Sequence, residues 1–188
     1  MDFKHQINQS CSFLQKGKTI LYPTDTVWGL GCDATNQVAV KKIYKIKNRS
    51  ESKSLIILVD GMEMLKKYVN AVPIEIENFL RNASKPTTVI YCHPTGLAPN
   101  VIAADGTVAI RIVQSDFCKA LIQAFGKPIV STSANFSNQP SPSSFDEIDP
   151  LLLKQVDYIV NLPATEAKNS ASQIIKLNDL GEIEFLRK

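Results

Sequence analysis

Apolar positions along the chain follow two alternating rhythms. Phe3, Ile7, Cys11 and Leu14 fall at helical spacing, and Gly17 supplies a stop. Thr19–Tyr22 reads as a short strand cut off by Pro23. Asn36 predicts the cap of a second helix with Ala39, Val40, Ile43 and Tyr44 turned inward. Leu55–Val59 is an apolar run of strand length; helical stretches follow around Met64–Tyr68 and after Pro73, then a strand over Thr87–Tyr91. Residues 93–106 form a loop. Val108–Val113 predicts a strand, Asp116 the cap of a helix ended by Gly126, and Pro128–Ser131 another strand. The polar, Pro-rich stretch 135–144 reads as a loop or lid. Short strands at Asp157–Val160, Gln173–Leu177 and Ile183–Leu186 complete the pattern, the last two joined by the turn Asn178–Gly181. Alternating strands and helices predict an α/β fold: a twisted, mixed, open sheet with flanking helices, in one domain over residues 1–188.

Composition sets bounds on this picture. Of 188 residues, 44% are hydrophobic and 21% charged, the balance of a globular chain. No apolar run approaches the ~20 residues that span a bilayer, and the polar, acidic opening Met1–Gln6 is unlike a secretory signal. The expected location is cytoplasmic, with no membrane partner. Cys11, Cys32, Cys92 and Cys118 lie far apart with no metal-like spacing, so they read as reduced thiols and no metal site is expected. His5 and His93 stand apart from them, which argues against a zinc centre and against His-based acid–base chemistry.

The distribution of charge says more than its total. Net charge is only +3, yet Lys41, Lys42, Lys45, Lys47, Arg49 and Lys53 face Glu51 alone, a local +5. That run is either a solvated helix face or an anion site. The second reading follows because Lys47 and Arg49 lie where a helix gives way to a strand, a junction that borders the ligand crevice of α/β sheets. Three other features carry possible chemistry. Ser131–Asn135 offers small hydroxyls and an amide beside a strand end, which suits a nucleotide, although turn-forming residues alone would look the same. Pro23–Gly31 runs from a strand into a hydroxyl- and acid-bearing turn; Gly29–Ala34 fits a dinucleotide fingerprint only loosely, because Pro23–Trp28 separate the first glycine from the strand. Arg111 sits inside an apolar strand, either at a solvated edge or aimed into a polar cavity where it could grip a carboxylate or phosphate.

Taken in order, these motifs resemble the YrdC-like family of threonylcarbamoyl-AMP synthases in its short bacterial form, over nearly the whole chain. Pro23–Gly31 is similar to the family's P-T-[ED]-T-x-x-G-L-G, Lys47-Asn48-Arg49 to its K-x-R, Ala109–Arg111 to its A-V-R strand and Ser131–Asn135 to its S-T-S-A-N. Ser172 before a late strand and the terminal Leu186-Arg187 also fit. Ser50 replaces a common proline, and Ala83–Pro86 replaces a W-P-G-P segment. The resemblance implies that L-threonine, bicarbonate and ATP are joined into threonylcarbamoyl-AMP with release of pyrophosphate. The product would feed the N6-threonylcarbamoyl modification of adenosine 37 in tRNA, other proteins making the final transfer. It further implies that Lys47, Arg49 and Lys53 hold the triphosphate, with Lys47 and Arg49 catalytic. Ser133, Asn135 and Arg187 would contact the nucleotide, and Thr24, Thr26, Arg111 and Ser172 would surround threonine. Mg²⁺ is expected to arrive with ATP, held by phosphates and water rather than by a carboxylate cage.

Three rival readings remain open on the residues alone: a basic module that binds RNA without chemistry, a carbamoyl-transfer domain of the hydrogenase-maturation kind, and a dinucleotide-dependent oxidoreductase. Aromatic residues are only 7%, which disfavours a single-strand stacking platform. Weak, non-specific RNA binding is the expectation.

Overall fold

The computed structural model describes residues 2–51, 54–162 and 171–188. The elements in chain order are α1 (Phe3–Gln15), β1 (Ile20–Tyr22), β2 (Gly29–Gly31), α2 (Gln37–Ile46), β3 (Ile56–Val59), α3 (Met62–Tyr68), α4 (Ile74–Asn82), β4 (Thr87–Cys92), β5 (Thr107–Ile112), α5 (Asp116–Phe125), β6 (Ile129–Ser133), α6 (Pro150–Leu153), β7 (Tyr158–Ile159), β8 (Gln173–Leu177) and β9 (Ile183–Arg187). The α/β alternation and every strand expected from the pattern are present, and β2 is additional.

Local chemistry explains the helix ends. Asp2 caps α1 by accepting from Lys4 N, and Gly17 takes a left-handed φ of 66° just beyond its end. Asn36 caps α2 with its side-chain oxygen on Val38 N and Ala39 N. The cap of α5 is Ser115, which accepts from Cys118 N, rather than Asp116, which begins the helix and places its charge in the first turn. Gly126 closes α5 at φ 75°.

Nine strands form one mixed sheet in the order β7-β1-β2-β6-β3-β5-β4-β8-β9. Pairing is parallel for β1–β7, β3–β5 and β4–β8 and antiparallel for the other five pairs. Helix α3 packs on β3 and β5, α5 packs on β3, and α1 packs on α5.

The register sorts the side chains of the central strands into two faces. Val130, Ile57, Ile110, Val89 and Ile175 lie in register across β6, β3, β5, β4 and β8, and none is more than 2% exposed. This rung anchors a continuous apolar core that extends into α2, α3 and α5 through Ile43, Leu65, Leu121 and Ile122. The positions between belong to the opposite face. There Ser131, Ile56, Ala109 and Ile90 form one rung, and Leu58, Arg111, Thr88, Ile174 and Arg187 form the next.

Candidate active site

The second face carries a cavity of about 430 Å³, a volume typical of small-molecule sites. Ile56, Ile90, Ala109 and Ile174 form its apolar floor. Arg49, Arg111 and Arg187 point three guanidiniums at it, hydroxyls of Thr24, Thr26, Ser133 and Ser172 line it, and no carboxylate is among the described lining residues. Ser141 and Ser143 bring the 135–144 loop to its wall.

Each cation is placed by a distinct device. Arg49 owes its direction to the end of α2. Asn48 adopts φ 49°, Asn48 N donates to Lys45 O at 3.0 Å and Arg49 N donates to Tyr44 O at 2.9 Å. Those two bonds are a Schellman closure, with asparagine standing where glycine is usual. The left-handed residue reverses the chain, so Lys47 and Arg49 leave in different directions. Arg49 reaches the cavity and donates through Nη2 to Ser54 O at 2.9 Å. Burial lowers its pKa below the ordinary guanidinium value.

Lys47 goes inward. It is 1% exposed and does not line the cavity. Its ammonium donates to Ser133 O at 2.5 Å, Asn135 O at 2.6 Å and Asn135 Oδ1 at 3.3 Å. Its own carbonyl accepts from Ser137 N at 2.8 Å. Burial, with repulsion from Arg49 added, brings its pKa down to about 7. Lys47 thus ties the end of α2 to the Ser131–Asn135 segment from behind. That segment is itself partly strand, since β6 runs through Ser133 rather than ending at Ser131. Ser133 Oγ is hydrogen-bonded to Asn135 Oδ1, and Asn135 Nδ2 donates to Gln139 O at 2.6 Å, which holds the loop's first turn to the sheet.

Arg111 is buried, 4% exposed in its side chain. Nη1 donates to Thr26 Oγ1 at 3.2 Å and Nη2 to Asp25 Oδ1 at 3.1 Å, while Nε has no acceptor among the described residues. Thr26 Oγ1 is 2.9 Å from Thr24 Oγ1, which also donates to Val27 O at 2.7 Å. On the neighbouring strand Thr88 Oγ1 lies 2.7 Å from Ser172 Oγ, and Arg187 Nε donates to Ser172 O at 2.8 Å. Burial and the charge of Arg111 lower the pKa of Arg187.

Glycine is required where β2 meets its neighbours. A Cβ on Gly31 would run into the Val130 carbonyl and the Tyr22 ring, and one on Gly29 would come within 3.0 Å of Ser131 Oγ and Thr24 Cγ2. These glycines serve strand approach rather than a dinucleotide.

Of the ten residues singled out from sequence, Thr24, Thr26, Arg49, Arg111, Ser133, Ser172 and Arg187 converge on the cavity. Lys47 and Asn135 form its backing, and Lys53 lies outside the described residues. Asp25 and Ser54 were not singled out. Asp25 stood inside a quoted motif but had no evident partner until the fold brought β5 beside it.

The family model for Sua5, YciO and YrdC proteins, described as telomere recombination, matches residues 12–188. A relative from Pseudoalteromonas translucida, named threonylcarbamoyl-AMP synthase, is 36% identical over 166 residues, covering 87% of this chain and 89% of its own length. One of the same name from Vibrio cholerae is 32% identical with both chains fully covered. The crystal structure of P. abyssi Sua5 complexed with L-threonine superposes with a TM-score of 0.86 at 28% identity, over 96% of this chain. The chain spans only 53% of that Sua5 protein, little more than half its length. The chain belongs to the Sua5/YciO/YrdC family.

Proposed function

We propose that this protein is a threonylcarbamoyl-AMP synthase. It joins L-threonine, bicarbonate and ATP into threonylcarbamoyl-AMP, releasing pyrophosphate and water, and so supplies the N6-threonylcarbamoyl modification of adenosine 37 in tRNA. The observation that carries the reading is the cavity itself: three guanidiniums and a ring of hydroxyls, with no carboxylate among its described lining residues. Every substrate bears an anionic group, and such a site suits all three. The relatives named for this reaction support it, as does the bound L-threonine of the P. abyssi protein.

The chemistry asks little covalent work of the protein. Threonine's amine bonds to the carbon of bicarbonate, water leaves, and a carbamate forms. A carbamate oxygen then attacks the α-phosphorus as the bond to the pyrophosphate oxygen breaks in line. Arg111 grips the amino acid's carboxylate, with Thr26 and Ser172 beside it. Arg49 and Arg187 face the phosphates and stabilise charge developing on the leaving pyrophosphate. Ser133 contacts the nucleotide, in a segment whose position Lys47 fixes; the nucleotide contact of Asn135 and the place of Lys53 at the phosphates are assigned by resemblance alone. Orientation of two small substrates against ATP supplies much of the remaining acceleration. Mg²⁺ would come as a companion of ATP, held by phosphates and water, and would neutralise phosphate charge when bound; no group of three or more His, Cys, Asp or Glu side chains that could hold a metal occurs among the described residues.

The alternative of an RNA-binding module leaves the buried Arg111 and its hydroxyl partners unexplained. No described helix is long and apolar enough to cross a membrane, and a cytoplasmic setting with transfer proteins as partners accords with a tRNA-directed product. The test is pyrophosphate release with each substrate omitted in turn. Pyrophosphate is expected only when threonine, bicarbonate and ATP are all present. ADP and phosphate as products, or pyrophosphate formed equally well without threonine, would overturn the reading.

A further inference from the structure

Asp25 occupies an unusual place beside this cavity. Its sequence neighbours Thr24 and Thr26 both line the cavity, whereas Asp25 does not. Its carboxylate is nonetheless close to the chemistry, because Oδ1 accepts from Arg111 Nη2 at 3.1 Å. The pair is buried, with side chains 4% and 10% exposed. Oδ2 lies 3.4 Å from Gln114 N, which ties the carboxylate to the chain just beyond β5. Thr26 Oγ1 accepts from Nη1 at 3.2 Å on the other arm of the same guanidinium.

Those contacts fix orientation without exhausting the group. A guanidinium carries five N–H bonds in one plane. Two are accounted for by Asp25 and Thr26, and the buried Nε has no acceptor among the described residues. A buried donor without an acceptor is costly unless a ligand completes it. The arrangement is that of a fork clamped by two of its prongs on a residue that lines the cavity.

From this geometry we propose that Asp25 is a positioning residue for the amino-acid subsite: it holds the Arg111 guanidinium in the orientation that receives the substrate carboxylate. The inference rests on the reaction proposed above. Asp25 acts only through Arg111 and makes no contact with substrate. It also balances the arginine's buried charge in the free protein, so the cation stays folded against the sheet instead of swinging toward the phosphate end of the cavity. Its consequence is selective: threonine recognition depends on Asp25, and ATP recognition does not.

The experiment compares Asp25→Ala, Asp25→Asn and Asp25→Glu with wild type in the pyrophosphate assay, separating KM for threonine from KM for ATP. Misplacement of a positioning group by about an ångström is worth up to ~10²-fold. Asp25→Ala and Asp25→Glu are therefore expected to raise KM for threonine at least ~10-fold, leaving KM for ATP within ~2-fold. Asp25→Asn keeps an acceptor for Nη2 and is expected to recover most of the loss. In an Arg111→Ala background, Asp25→Ala is expected to add no further loss in threonine KM, because its target is gone. A role confined to stability would lower the melting temperature and weaken both substrates alike. Should Asp25→Ala fail to fold, the Asn and Glu variants decide the matter. Equal effects on both substrates, or an unchanged threonine KM in Asp25→Glu, would overturn the proposal. Absence of threonine-dependent pyrophosphate in wild type would overturn the reaction instead, so the two failures are distinguishable.

Discussion

Arg49 and Lys47 are two residues apart and do different work. Arg49 faces the cavity, so Arg49→Ala is expected to reduce turnover at least ~10²-fold, the scale of removing one preorganised transition-state donor. The fold should be retained, because this side chain sits at a cavity wall rather than in the apolar core. Circular dichroism and single-turnover pyrophosphate release check both halves; a folded variant with wild-type turnover would return Arg49 to a solvated-surface role. Lys47 makes a prediction about pH. Folded, its pKa is held to about 7, against an ordinary 10.5. Between those values the unfolded chain binds a proton that the folded chain does not. Its contribution to stability therefore increases as pH rises through that window, with a slope of at most ~1.4 kcal/mol per pH unit, and is lost as pH falls through the folded value. Relative to Lys47→Met, wild type should gain in melting temperature from pH 7 to pH 10. A difference that stays flat across that range would refute the lowered pKa of Lys47.

At the scale of elements, the end of α2 decides where both side chains go. Asn48 holds the left-handed conformation at φ 49°, which a β-branched residue adopts only with strain. Asn48→Val is expected to destabilise the protein by about 1–2 kcal/mol and to impair turnover through Arg49, whereas Asn48→Gly should be tolerated. Urea midpoints and kinetics on the two variants test this; equal stabilities would show that the turn is not what orients Arg49. The elements also show what was legible beforehand. Helices α1, α2 and α5 carry strong 3.6-residue patterns with caps that mark their ends to within a residue or two. Strand β2 leaves no such mark, because three residues with two glycines carry neither alternation nor strand propensity; its existence depends on long-range pairing with β1 and β6. The four-residue α6 is likewise too short to leave a period. The site was legible only in part for a related reason. A strand-borne arginine is conspicuous in sequence, but register alone puts Arg111, Thr88, Ile174 and Arg187 on one rung, and register is set by partners as far apart as Thr88 and Ile174. Asp25 escaped notice because its partner lies on β5.

For the molecule as a whole, the basic run is less available than its composition suggests. Lys47 is buried, Arg49 faces the cavity, and Lys42 is paired with Asp157 at 2.6 Å. Exposed Lys41 and Lys45 remain on α2. Binding of tRNA by this chain alone is accordingly expected to be weak, insensitive to sequence and steeply reduced by salt. Fluorescence anisotropy with tRNA and an unrelated RNA, at rising salt, checks it. Tight, tRNA-selective binding at physiological salt would show that a further surface reads RNA.

The order of strands has a consequence for how the chain comes to be functional. Thr24 and Arg187, near opposite ends of the sequence, line the same cavity, and β4 gains its outer neighbour only when β8 docks in parallel beside it. During synthesis the chain through β8 (Gln173–Leu177) must leave the ribosome before that edge is covered. Until then β4 presents unpaired backbone groups, a template for association with other nascent chains. Substrate recognition is therefore among the last events of folding, and small ligands can act on this protein only as selectors of its finished state.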